Sequence, residues 1–161
     1  MTRMTSALLL CLCVASSNSV LAQRPLWTPI AELLVGSIGE SDPVRMVTVL
    51  SRCSALNMAL ARLSSEMDPA KVQNIRGEAV RLIQRVIVIE SRMEKERTNR
   101  EADMDRMTST VTERVRGMMG NYNQWMDHNS VNAGSYIDKE IQLEMSSCQL
   151  AARLINQSQV L

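Results

Sequence analysis

Phenylalanine is absent, and the only aromatics among the 161 residues are two tryptophans and two tyrosines. A core without Phe has to be built from Leu, Ile, Val, Ala and Met, which suits helix packed on helix better than a β-sandwich. Histidine occurs once, as His128. A four-ligand zinc site therefore cannot be assembled from imidazoles, and a nucleophilic triad would rest on that one base with no G-x-S-x-G elbow to present a serine. No glycine cluster precedes a helix, so a phosphate loop is missing too. Neither sign of charge is in excess, with 18 basic residues against 17 acidic. Such a balance gives no long-range field to steer nucleic acid or an anionic membrane.

Long apolar runs are also lacking. The longest near the start, residues 7–15, has about nine residues, against the roughly 20 that cross a bilayer. It follows Arg3 and precedes Val20-Leu21-Ala22, so residues 1–22 read as a signal peptide cleaved after Ala22. Leu10 and Leu12 stand before Cys11 and Cys13, where a lipoprotein leader needs a small residue. The expected mature chain is one exported domain, residues 23–161, with no integral membrane segment. Cleavage removes Arg3 and no acid, which brings the charges to 17 against 17. It also removes Cys11 and Cys13. The two cysteines left, Cys53 and Cys148, are expected to form one disulfide in an oxidising compartment.

What the chain does have is helical periodicity. In residues 42–67, Met46, Val49, Cys53, Leu56, Leu60, Leu63 and Met67 recur at steps of three and four, on one face of a helix. Asp42-Pro43 and Asp68-Pro69 are start signals, since proline fits a first helical turn and breaks an interior one. Before them, Thr28-Pro29 opens a short flap helix ended by Gly36 and Gly39, with Ile30, Leu33 and Leu34 laid over the rest. After Pro69 the stripe is Val72, Ile75, Ala79, Leu82, Val86, Ile89 and Met93, widened by Val80, Ile83 and Ile87 beyond a two-stranded coiled-coil seam. This helix is expected to be the most buried. The Val86-Ile87-Val88-Ile89 run alone suits a strand, but its flanks are helical and carry no turn signal.

Residues 94–106 are almost wholly charged and lack Pro and Gly. A helix running unbroken from Pro69 to His128 would span roughly 90 Å and strand Cys53 and Cys148 roughly 40 Å apart. That is far beyond the ~7 Å Cα limit of a disulfide. A reversal near Thr98 removes the conflict, and Thr98-Asn99-Arg100-Glu101 matches a capping box there. The next helix carries Met104, Met107, Val111, Val115, Met118, Tyr122 and Trp125. Residues 127–135 read as the most loop-like stretch, with Asn132-Ala133-Gly134 ending the helix. A last helix from about Ser135 points Ile137, Ile141, Met145, Cys148, Ala152 and Ile155 inward. The expected fold is all-α: an antiparallel four-helix bundle with an N-terminal flap helix, its first and last long helices bridged by Cys53–Cys148.

The segments Arg52-Cys53-Ser54-Ala55-Leu56, Tyr122-Asn123-Gln124-Trp125-Met126 with Asn129 and Gly134, and Ser147-Cys148-Gln149-Leu150 together resemble small exported helical proteins of bacteria that have no assigned activity. The resemblance spans most of the mature chain. It implies a periplasmic or secreted bacterial protein and brings no catalytic residues with it.

Three kinds of site remain to be weighed. Tyr122, Trp125, Asn129 and Tyr136 bracket a polar loop and are candidates for a partner-binding patch. Met104, Met107, Met118 and His128 are the alternative, as thioether ligands for Cu(I) or, with His128, for haem; methionine as core filler in place of Phe is the plainer role. Glu90, Glu94, Glu96, Glu101, Asp103 and Asp105 offer carboxylates for a hydrolase, yet they are interleaved with Arg92, Arg97, Arg100 and Arg106 as in a solvated tip. The favoured expectation is a non-enzymatic binding or structural role in the cell envelope, without a cofactor, holding a partner helix or peptide between helices.

Overall fold

Four aspartates set where the long helices begin. Asp42 accepts from the amides of Val44 (2.9 Å) and Arg45 (3.2 Å), Asp68 from Ala70 (2.9 Å), Asp103 from Arg106 (3.0 Å) and Asp138 from Ile141 (2.7 Å). Each carboxylate satisfies an orphan amide and faces the positive end of the helix dipole. The computed structural model describes residues 27–39, 41–64 and 68–157. The leader, its cleavage point and Met67 lie outside these. Five helices follow in order: α1 (Ile30–Gly39), α2 (Pro43–Leu63), α3 (Pro69–Thr98), α4 (Met104–Ala133) and α5 (Lys139–Gln157). Among the described residues there is no strand, and Val86 to Ile89 form part of α3. None of these helices is long and apolar enough to cross a membrane.

The chain does reverse after Thr98, but by a different device from a capping box. Thr98 is the last residue of α3; its hydroxyl donates to the Glu94 carbonyl (2.7 Å) and accepts from the Arg100 amide. Asn99 then takes the left-handed conformation at φ 53°, which its short polar side chain tolerates. Asp103, not Thr98, caps α4. Residues 127–133 are helical rather than loop, and α4 ends only where Gly134, at φ 67°, turns its amide back to the Ser130 carbonyl (3.1 Å). Gly36 lies within α1 and does not end it.

The most buried helix is α2, not α3. Val49, Leu50, Ser51, Arg52, Cys53, Ser54, Ala55 and Leu56 form an unbroken buried run, so α2 is enclosed on all sides rather than along one stripe. It packs against each of α1, α3, α4 and α5. On α3 the buried face is Val72, Ala79, Leu82, Val86, Ile87 and Ile89, while Val80 is exposed and does not widen it. Cys53 and Cys148 are bonded with Cα atoms 5.4 Å apart, which ties the middle of α2 to the middle of α5 across 95 positions of sequence. The buried face of α5 is Ile141, Glu144, Cys148, Ala151 and Ile155. Ile141, Cys148 and Ile155 point inward as expected, but Glu144 and Ala151 complete the face, leaving Met145 and Ala152 half-buried.

Candidate functional site

A charged residue lies deep at the meeting point of four helices. Arg52 of α2 is 4% exposed, and Glu144 of α5 is 7% exposed. Their side chains meet at 2.6 Å, Arg52 Nη2 donating to Glu144 Oε2. The same oxygen accepts from the Tyr122 hydroxyl of α4, and Glu144 Oε1 accepts from the Ile30 amide at the start of α1 (3.1 Å). Arg52 Nη1 donates to the Thr28 carbonyl, and the guanidinium lies over the Trp27 ring, 4.7 Å from its centroid. Trp27 meets Tyr122 edge-on at 5.1 Å. Burial holds the Tyr122 phenol well above its ordinary pKa; the facing Glu144 carboxylate adds to the rise and Arg52 opposes it. Arg52 Nε and Ser51 Oγ are buried with no hydrogen-bond partner among the described residues. A buried pair of this kind holds elements in register, since breaking it would leave a naked charge inside.

The aromatic candidates belong to two separate places. Tyr122 is fully buried in the cluster just described, stacked at 6.2 Å from the nearly buried Trp125. Trp125 Nε1 and Asn129 Nδ2 both donate to Asp138 Oδ2, at 3.0 and 2.8 Å, and so fasten α4 to the cap of α5. Tyr136, 45% exposed, sits on the connecting turn. The four do not make one exposed surface.

The thioether set fares differently again. Met104, Met107, Met118 and His128 all lie on the single straight run of α4. At 1.5 Å per residue, Met104 and His128 are roughly 36 Å apart, so the four cannot converge on one ion or one haem. Met104 is exposed and Met107 is packed in the core. Half of the acidic tip is held in ion pairs, Glu90 with Arg114 (2.6 Å), Glu94 with Arg106 (2.7 Å) and Glu101 with Lys95, and Asp103 caps α4.

The open feature lies between α3 and α5. No Cα of α5 comes within 8 Å of one of α3 among the described residues, and α2 forms the floor of the gap. The gap holds a groove of about 380 Å³, which Leu82 and Val88 of α3 and Ala152 and Ile155 of α5 line with apolar surface. It adjoins a second hollow of about 310 Å³, lined by the half-buried Leu60 of α2 and Met145 of α5, the buried Cys148, and the polar Asn57 and Gln149. Glu78, Arg81, Arg85 and Arg153 form the rim. The wall on the α5 side is held from behind by the disulfide and by Glu144.

Sequence reasoning missed Arg52 and Glu144 as a pair. The signal was available: Glu144 falls at the i−4 position from Cys148 and the i+3 position from Ile141, inside a helical stripe. Comparisons with protein-family models, with curated proteins and with solved structures find no match for this chain.

Proposed function

We propose that the chain is a non-enzymatic, exported helical protein of a bacterial envelope, in which α2 to α5 form an antiparallel four-helix arrangement with α1 as a flap, and that it holds a segment of a partner protein in the groove between α3 and α5. One observation carries the reading: a partly apolar gap, floored by Asn57 and Leu60 of α2, lies between α3 and α5, no Cα atoms of which come within 8 Å of each other among the described residues. Grooves bounded by two helices accept an amphipathic segment by ridges-into-grooves packing. The single disulfide supports an oxidising compartment, and the leader-like first 22 residues support export.

A photo-reactive residue placed at Val88, on the groove lip, tests this in the protein's own host. Val131, 84% exposed at the far end of α4, serves as the control position. The expected result is one discrete adduct from Val88, none from Val131, and loss of the adduct when Ala152→Trp fills the groove of a protein that still folds. Equal labelling from both positions, or an adduct indifferent to Ala152→Trp, refutes it. Mass analysis of the exported form, beginning at Gln23, checks the compartment.

A further inference from the structure

The edge of α3 that borders the groove is longer than the groove itself. Glu78, Leu82, Arg85, Ile89, Arg92 and Glu96 recur at alternating steps of four and three, so they share one face of the helix. This same edge also borders a third, wider hollow of about 520 Å³, whose other wall is α1 and the head of α2. Ile38, Met46, Ile89 and Met93 make its lining apolar. From Glu78 to Glu96 the edge runs about 27 Å at 1.5 Å per residue. That is the length of five helical turns.

Charge is uneven along it. Arg85, Arg92 and Arg153 are exposed and have no ion-pair partner among the described residues, whereas Glu78 is held by Arg81. Glu96 is the one unpaired acid that lines either hollow. In a chain whose expected mature charge is balanced, three unpaired guanidiniums beside the hollows along one edge of α3 favour an acidic occupant over a basic one.

Building on the groove reading above, we propose that the occupant is an amphipathic helix of about 18 residues from a partner protein, with an aliphatic stripe that fills the valley and Asp or Glu on its flanks facing Arg85, Arg92 and Arg153. Guanidinium and carboxylate match in fork geometry, so these contacts set the orientation and charge preference of the guest while the stripe supplies the buried area.

Two synthetic helices test it against the oxidised full-length mature protein. Both carry Leu at i, i+3, i+4 and i+7 spacing over 18 residues; one has Glu flanks and the other Lys flanks. Fluorescence anisotropy at low salt is expected to show the Glu helix binding on the order of tenfold more tightly, with the gap closing at about 0.5 M salt as the surface charges are screened. The double substitution Arg85→Glu with Arg153→Glu, at exposed positions outside the core, is expected to reverse the order. Equal or reversed preference in the unsubstituted protein, or a preference unchanged by the double substitution, overturns the proposal. Self-association seen by light scattering and abolished by the same double substitution would assign the valley to a second copy and overturn it as well. If the Val88 adduct forms but the charge preference is absent, only the acidic guest falls; if no adduct forms, the groove reading falls with it.

Discussion

Glu144→Gln should be among the most damaging single-atom-scale changes this protein can suffer. The substitution keeps the shape of the side chain and an oxygen for the Ile30 amide, but removes the charge that faces Arg52 at 2.6 Å. Arg52 is 4% exposed and cannot lose its proton, so its charge stays inside without compensation. Breaking a buried pair in this way costs about 3 to 5 kcal/mol, a large share of the 5 to 15 kcal/mol that typically separates folded from unfolded. Urea denaturation followed by helical circular dichroism, with the disulfide intact, measures it. At a slope of about 1.5 kcal/mol per molar the midpoint should fall by roughly 2 to 3 M. The decisive companion is Arg52→Met combined with Glu144→Gln, which takes out both charges. It should be more stable than Glu144→Gln alone, with a coupling of at least about 2 kcal/mol in the double-mutant cycle. A loss below about 1 kcal/mol for the single change, or simple additivity in the cycle, would refute the claim that this pair is buried and unshared with water.

Cys53→Ser with Cys148→Ser opens a bridge spanning 95 positions and should cost about 4 to 5 kcal/mol by the chain-entropy estimate; a lower thermal midpoint and loss of the non-reducing gel shift check it. Because the folded state holds Tyr122 neutral above its ordinary range, the unfolded chain binds fewer protons once pH passes about 10. Stability should therefore fall as pH rises from there, by up to about 1.4 kcal/mol per pH unit for this group, and Tyr122→Phe should remove that part of the slope. Asp138→Ala strips the cap of α5 and the shared acceptor of Trp125 and Asn129; a loss of about 1 to 3 kcal/mol and an altered Trp fluorescence spectrum are expected.

The helix boundaries that depend on one residue's chemistry were legible in the chain. Asp42-Pro43, Asp68-Pro69 and Gly134 act where their chemistry says they should, and the Cys53–Cys148 bond is the one expected of the two cysteines outside the leader-like residues 1–22. Less legible was the orientation of each helix about its own axis. Stripes were read by matching apolar side chains, so α5 was phased on Met145 and Ala152, whereas its interior face runs through Glu144 and Ala151. An acid is normally scored as solvent-facing, and only a partner 92 positions away makes its burial affordable. The same bias hid Arg52 beside Cys53, and Val80 and Ile83 made the stripe of α3 look wider than it is, since Val80 is exposed and Ile83 only half-buried. Thr98 misled for a different reason: a Thr-x-x-Glu pattern is local, and here the Asn99 turn and Asp103 supply the end and the start separately.

The places of Glu144 and Ala151 on the inner face of α5 also bear on the candidate site. With Ile141, Cys148 and Ile155 inward either way, taking in Glu144 and Ala151 rather than Met145 and Ala152 turns the face by only about a third of the 100° step between residues. Glu144 draws that face toward Arg52, Tyr122 and the start of α1, and the disulfide fixes the depth. Met145 and Ala152 are left half-buried on the groove wall instead of closing it. An aliphatic residue at position 144 would remove the demand for that orientation and free α5 to roll Met145 and Ala152 onto α3. The buried ion pair thus costs desolvation in the core and in exchange holds apolar surface open at the edge, which links the least expected pair of residues in the chain to the groove its function is proposed to use.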